Sequence, residues 1–178
     1  MKFQSTIALL ALAIGVQAAS VANVLSDIST VSTDVTNLNN AINAFSGSNL
    51  IAALAIHTDA GTLTSAVNKA TTDSNALTPL PISESDGQSI LNAVTAIKPT
   101  ILSALTGIVA KKAALTALPV GGIPALVKSD LASLNTATSA FEAALIAKAP
   151  ADLKSSASAL QSSINAAFAT AIAAYASA

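Results

Sequence analysis

The sequence predicts an all-α protein, a single up-and-down bundle of about five long amphipathic helices. Three observations predict it. Apolar residues recur in steps of three and four over long stretches, which is helical periodicity. Glycine and proline are sparse, and the breaks they mark, at Ser46-Gly47-Ser48, Thr78-Pro79-Leu80-Pro81, Pro119 to Pro124 and Ala149-Pro150, divide the chain into long periodic segments. No run alternates apolar and polar residues between turn signals, so no strand is expected. The 178-residue chain also has no cysteine. Packing alone must hold it, which suits a regular helical architecture.

Residues 1–18 read as a secretory signal peptide. Lys2 is a short positive region, and Ile7 to Val16 is an apolar stretch too short to span a bilayer. Val16-Gln17-Ala18 presents small residues where a signal peptidase reads. Cleavage is expected after Ala18, leaving 19–178 as one secreted helical domain. No transmembrane segment is expected.

The first helix carries Val21, Val24, Ile28, Val31, Val35, Leu38, Ile42 and Phe45 in one stripe. At 1.5 Å per residue that stripe is about 40 Å long. Asp27, Asp34, Asn37 and Asn40 are expected off it. The second helix, about Ser48 to Leu77, carries Ile56, Leu63, Val67, Ala70 and Leu77. The third starts at Ser83-Glu84-Ser85-Asp86, an N-cap followed by first-turn acids. It carries Ile90, Val94, Ile97, Ile101, Leu105, Ile108 and Leu115. Pro99 inside it removes a backbone donor, so a kink near Thr95 to Lys98, or two shorter helices, is expected. The fourth runs from Pro124 to about Lys148 with Val127, Leu131, Leu134, Phe141 and Leu145. The fifth starts at Pro150 and carries Leu153, Leu160, Ile164, Phe168, Ile172 and Tyr175. Short connections predict antiparallel neighbours.

Charge excludes several functions. Without Lys2, seven lysines face nine acids, a net charge of 7 − 9 = −2, and arginine is absent. A nucleic-acid binder would need a basic stripe. An anionic-lipid binder would need a polybasic patch, and Lys111-Lys112 is the one basic doublet, read as a solvated helix face. Catalytic groups are scarce. The one histidine, His57, lies two residues from Asp59, and on a helix such residues point to opposite sides. A triad would require an acid from another helix. Asp73 and Asp86 lack the dense oxygen set that calcium needs. No cofactor, no metal and no enzymatic activity are expected.

Alanine at stripe positions (Ala70, Ala104, Ala137, Ala157, Ala171) leaves two interiors open: closely packed helices, or apolar space that stays dry and takes apolar guests.

Four stretches carry a resemblance: "NKATTDSNAL" (68–77), "ILNAVTAIKPTILSALTGIVAKKAAL" (90–115), "LPVGGIPALVKSDLASLNTATSAFEAALIAKAP" (118–150) and "DLKSSASALQSSINAAFATAIAAYA" (152–176). With the leader, they resemble the fungal hydrophobic surface-binding protein A family, also called cell-wall galactomannoproteins or antigenic mannoproteins. The resemblance implies a secreted or wall-associated helical bundle with either of two activities. One is capture of fatty acids in an apolar cavity between the helices. The other is adsorption to hydrophobic solid surfaces with recruitment of a secreted esterase such as a cutinase. A structural wall protein or antigen without a ligand is the third reading. Unlike the longer mannoproteins, this chain has no Ser/Thr/Pro-rich stalk and no hydrophobic tail, so a lipid anchor is not expected.

For lipid capture, the acyl chain is expected against Leu38, Leu63, Val67, Ile97, Ile101, Leu105, Leu134, Phe141, Ile164 and Phe168. Its head group is expected near Ser, Thr or Gln at an open end. Each buried methylene contributes about 0.8 kcal/mol, so no basic partner is required. For adsorption, Leu50, Ile51, Leu54, Leu80, Ile82, Val120 and Ile123 fall off the stripes or in connections and would form exposed apolar patches.

Overall fold

In the computed structural model, residues 19–47 and 49–176 are described. The expected signal peptide, 1–18, lies outside them. Helix α1 spans Val21–Ala44, α2 Leu50–Asn75, α3 Glu84–Ala110, α4 Lys112–Thr116, α5 Ile123–Lys148 and α6 Lys154–Ala174, with a single 3-10 turn at Ala151–Leu153 before α6. No strand occurs among the described residues.

The helix starts have local causes. The Ser20 side chain accepts from the Asn23 amide, and the Asn49 side chain accepts from the Ile51 and Ala52 amides. Ser83 accepts from the Asp86 amide at 3.1 Å and donates to the Asp86 carboxylate at 2.7 Å. Pro124 lies in the first turn of α5, where its missing donor costs nothing.

Two helix ends, those of α1 and α6, are closed by three lysines from elsewhere. Lys111 Nζ donates to the Phe45 carbonyl at 2.7 Å, just past α1. Lys112 Nζ donates to the Ala174 carbonyl at 2.6 Å at the end of α6. It also lies 5.6 Å from the Tyr175 ring centre. Lys128 Nζ donates to the Ala176 carbonyl at 2.9 Å. The Lys111-Lys112 doublet is therefore a pair of caps, satisfying carbonyls that have no partner within their own helices, and not the solvated face expected from sequence.

α3 runs through Pro99 as one helix. Pro99 and Thr95, whose carbonyl loses its partner, both lie on the exposed face, so the interruption falls where the cost of a lost helix bond is least. The interruption comes later, at Lys111, between α3 and α4.

The packing order around the bundle is α1–α2–α5–α6–α3 and back to α1. Only α1/α2 and α5/α6 are sequence neighbours that also pack as long antiparallel pairs. The residues 76–83 carry the chain across the bundle end, so α2 and α3 do not become packed partners. The cross-bundle pairs run parallel. Gly107 of α3 meets Ile42 of α1, near the C-terminal ends of both helices. The Tyr175 hydroxyl, just past α6, donates to the Ile108 carbonyl of α3 at 2.7 Å. His57 pairs with Asp130 in the early turns of α2 and α5. One end of the bundle holds α4, and the other holds the 76–83 connection.

Stripes from all five long helices form one core. Asp27 departs from the sequence expectation. It is 7% exposed and paired with Lys69 at 2.6 Å, across α1 and α2. Lys69 also reaches Asp73 at 2.8 Å. These contacts raise the Lys69 ammonium above its usual range, the Asp27 bond first, and lower the Asp73 carboxyl, through its bond to Lys69 first. α2 and α3 are each long and apolar enough to cross a membrane by length and composition, yet each lays its stripe into this shared core.

Candidate functional site

Three apolar cavities follow the bundle axis. The central one, about 70 Å³, is walled by all five long helices. A second, about 40 Å³, lies toward the 76–83 connection between Ile82, Ile90, Ile146 and Leu160. A third, also about 40 Å³, lies toward α4 between Ile42, Ile56, Ile108 and Val127. Val94 and Glu142 belong to the walls of both the central and the connection-end cavities. Leu38, Ala104, Leu105 and Leu134 are shared by the central and α4-end cavities. The string reaches along α3 from Ile90 to Ile108, about 27 Å at 1.5 Å per residue.

The space has a compositional cause. Close packing requires side chains large enough to meet at the axis. Here Val, Leu, Ile and Ala do most of the filling, and Ala104 sits in the wall between two cavities.

The structure brings all ten residues expected along an acyl chain around the central cavity: Leu38 from α1, Leu63 and Val67 from α2, Ile97, Ile101 and Leu105 from α3, Leu134 and Phe141 from α5, Ile164 and Phe168 from α6. All are buried but Ile101, which is half-buried. Two polar residues complete the lining, Thr138 and Glu142.

Sequence reasoning missed Glu142. It is 6% exposed, and neither carboxylate oxygen has a hydrogen-bond partner. Burial pushes its carboxyl up to about 7, opposed by the neighbouring Gln161 side chain, which approaches the carboxylate without reaching hydrogen-bond geometry. Its signal was available: Leu134, Thr138 and Glu142 are spaced by four, so the acid falls on the apolar stripe of α5.

The expected adsorbing residues divide. Ile51 is 78% exposed, Leu80 51%, Val120 45% and Leu54 44%. Leu50 is half-buried. Ile82 and Ile123 belong to the core, contrary to expectation. Ile82 tucks beneath its connection and walls the cavity at that end, and Ile123 begins α5 with its side chain in the core cluster. Leu80 lies at the opposite end from Ile51, Leu54 and Val120, so the set forms no single patch.

His57 and Asp59 form no pair. His57 Nδ1 instead donates to both Asp130 carboxylate oxygens, at 2.9 and 3.0 Å, from α2 to α5. This is the acid from another helix that the sequence left open. Desolvation raises the Asp130 carboxyl, opposed by the hydrogen bond from His57. Asp130 also lines the α4-end cavity. No group of three or more possible metal-ligating His, Cys, Asp or Glu side chains occurs among the described residues.

Known proteins share this architecture. The chain is similar to Afmp4p, solved in complex with palmitic acid, at 36% identity and a TM-score of 0.81, covering 88% of this chain and 99% of that one. It is similar to ligand binding domain 1 of the Penicillium marneffei MP1 protein, complexed with arachidonic acids, at 20% identity and a TM-score of 0.78, covering 88% and 99% of the two chains. Domain 2 of that protein, complexed with multiple arachidonic acids, matches at 21% identity and a TM-score of 0.75, covering 88% and 94%. At such identities the last two likenesses concern the fold alone. No curated protein matches significantly. The family model described as hydrophobic surface binding protein A matches residues 21–147, through α1, α2, α3, α4 and nearly all of α5. On that match and the 36% identity to Afmp4p, the chain belongs to the hydrophobic surface binding protein A family.

Proposed function

We propose that this chain is a secreted fungal lipid-binding protein that takes the acyl chain of a fatty acid or similar amphiphile between its helices. The central cavity carries the reading: fifteen of its seventeen wall residues are apolar. Space of that kind excludes water and admits apolar groups. The palmitic acid bound to Afmp4p supports the same reading. The protein acts as a carrier rather than an enzyme. In this reading the His57–Asp130 pair is a contact that ties α2 to α5.

The test is delipidation followed by titration with hexadecanoic acid, read by native mass spectrometry and thermal unfolding. One bound chain should appear as added mass. At a hundredfold excess over Kd, stability should rise by about 2.7 kcal/mol. An unchanged mass and an unchanged unfolding curve would refute the proposal.

A second reading, adsorption to hydrophobic solids, draws on Ile51 at 78% exposure with Leu54 one turn away on α2. Replacing both by Ser should reduce retention on polyester particles while leaving lipid uptake intact. In this reading a secreted esterase is recruited to the coated solid, and co-sedimentation of a cutinase with coated particles measures it. Equal retention of the double variant would remove the reading.

A further inference from the structure

The cavity string contains one ionisable group where its central and connection-end cavities meet. Of all residues lining these two cavities, Glu142 alone can carry a charge. No lysine, histidine or second acid faces either cavity from α1, α2, α3, α5, α6 or the 3-10 turn. The nearest comparable group is Asp130, three turns earlier on α5, which lines the α4-end cavity and is occupied by His57.

A buried carboxyl with two unpaired oxygens is among the costliest groups a core can hold. A leucine at this stripe position would bring similar apolar bulk without that cost. Its surroundings suit a guest. Thr138, one turn earlier on α5, lines the central cavity, and Gln161 on α6 lines the connection-end cavity. Glu142, Thr138 and Gln161 are the polar side chains of an otherwise apolar pair of cavities.

We propose that Glu142 anchors the head group of the bound amphiphile, accepting a hydrogen bond from a ligand hydroxyl or protonated carboxyl while the acyl chain runs through the central cavity. The inference rests on the lipid-binding reading and specifies its ligand class as donor-headed: a fatty alcohol, a monoacylglycerol, or a fatty acid that retains its proton. The head group then lies within the bundle, at the level of Thr138 and Gln161, and not at an open end. Because burial holds the Glu142 proton up to about pH 7, one proton serves both carboxyls when the guest is a fatty acid. At higher pH both are ionised, and the like charges expel the acid but not an alcohol.

The experiment compares hexadecanol, methyl hexadecanoate and hexadecanoic acid on the full mature chain and on Glu142→Leu and Glu142→Gln. At about pH 9, where Glu142 is ionised and can only accept, wild type should bind hexadecanol about tenfold or more tightly than the methyl ester, which has no donor; this is the size of one buried hydrogen bond. Glu142→Leu should bind the two alike. Near about pH 9, where both carboxyls are ionised, Glu142→Gln should hold hexadecanoic acid more tightly than wild type does. Equal binding of alcohol and ester by wild type overturns the anchor. So does an alcohol preference that survives in Glu142→Leu. If Glu142→Leu does not fold, the comparison of wild type with Glu142→Gln at high pH decides alone, and equal affinities there overturn the anchor. Should wild type take up none of the three probes, the lipid-binding reading itself fails and the anchor with it.

Discussion

Glu142 keeps a proton that an exposed glutamate gives up. Its carboxyl is raised from 4.5 to about 7, chiefly by burial. The unfolded chain releases that proton near the lower value and the folded chain near the higher one. The protonated group's contribution is therefore fully present below about pH 4.5 and lost as pH rises to about 7. The shift corresponds to a loss on the order of 3 kcal/mol. Urea unfolding of the ligand-free protein should lose stability over that window, and Glu142→Gln should flatten the curve. A wild-type curve already flat there would mean that the folded carboxyl is solvated. The ten cavity-wall residues were legible in the sequence because burial along a helix follows its period. Glu142 was not read out, because a lone acid matches no pairing pattern. Nor was the His57–Asp130 contact, whose partners lie on different helices at a separation of 73 residues.

Helix limits were legible where capping is local, as at Ser83. They were hidden where the cap comes from a distant residue, as with Lys111 and Lys112. Packing order was hidden too. A short connection sets the direction of the next helix, but not which neighbour it chooses. Two glycines show how packing decides the sign of one substitution. A Cβ on Gly61 of α2 would meet nothing within 4 Å. Gly61→Ala should stabilise the protein by about 0.5–1 kcal/mol through helix propensity. A Cβ on Gly87 of α3 would meet Pro150 Cδ at 2.8 Å and Leu153 Cδ1 at 2.9 Å. Gly87→Ala should therefore cost about 1–3 kcal/mol by wedging α3 from the 3-10 turn that leads into α6. Thermal unfolding of the two variants should move in opposite directions. A stabilising shift in both would mean that this approach is looser than the contact implies, and a destabilising shift in both would refute the gain expected at Gly61.

At the scale of the molecule, the central cavity is smaller than the guest it is proposed to hold. It measures about 70 Å³, whereas sites for small molecules commonly enclose about 300–1,000 Å³. A bound chain must therefore spread the helices and join the cavities into one channel. α6 is suited to yield. It packs only on α3 and α5 among the long helices, and buries three residues along its length, Ile164, Phe168 and Ala171. Spreading costs packing energy, and the acyl chain returns about 0.8 kcal/mol for each methylene taken from water. The wall between the central and α4-end cavities is where joining can be blocked. Ala104 stands there, 7% exposed. Ala104→Leu adds apolar volume to space that is already empty. It should change folding stability by less than about 1.5 kcal/mol, as fitting hydrophobic replacements do. It should also lower affinity for hexadecanoic acid by about tenfold or more, since the chain loses methylene contacts worth that ratio. Calorimetric titration of the folded variant measures this directly. Unaltered affinity would place the acyl chain outside this channel.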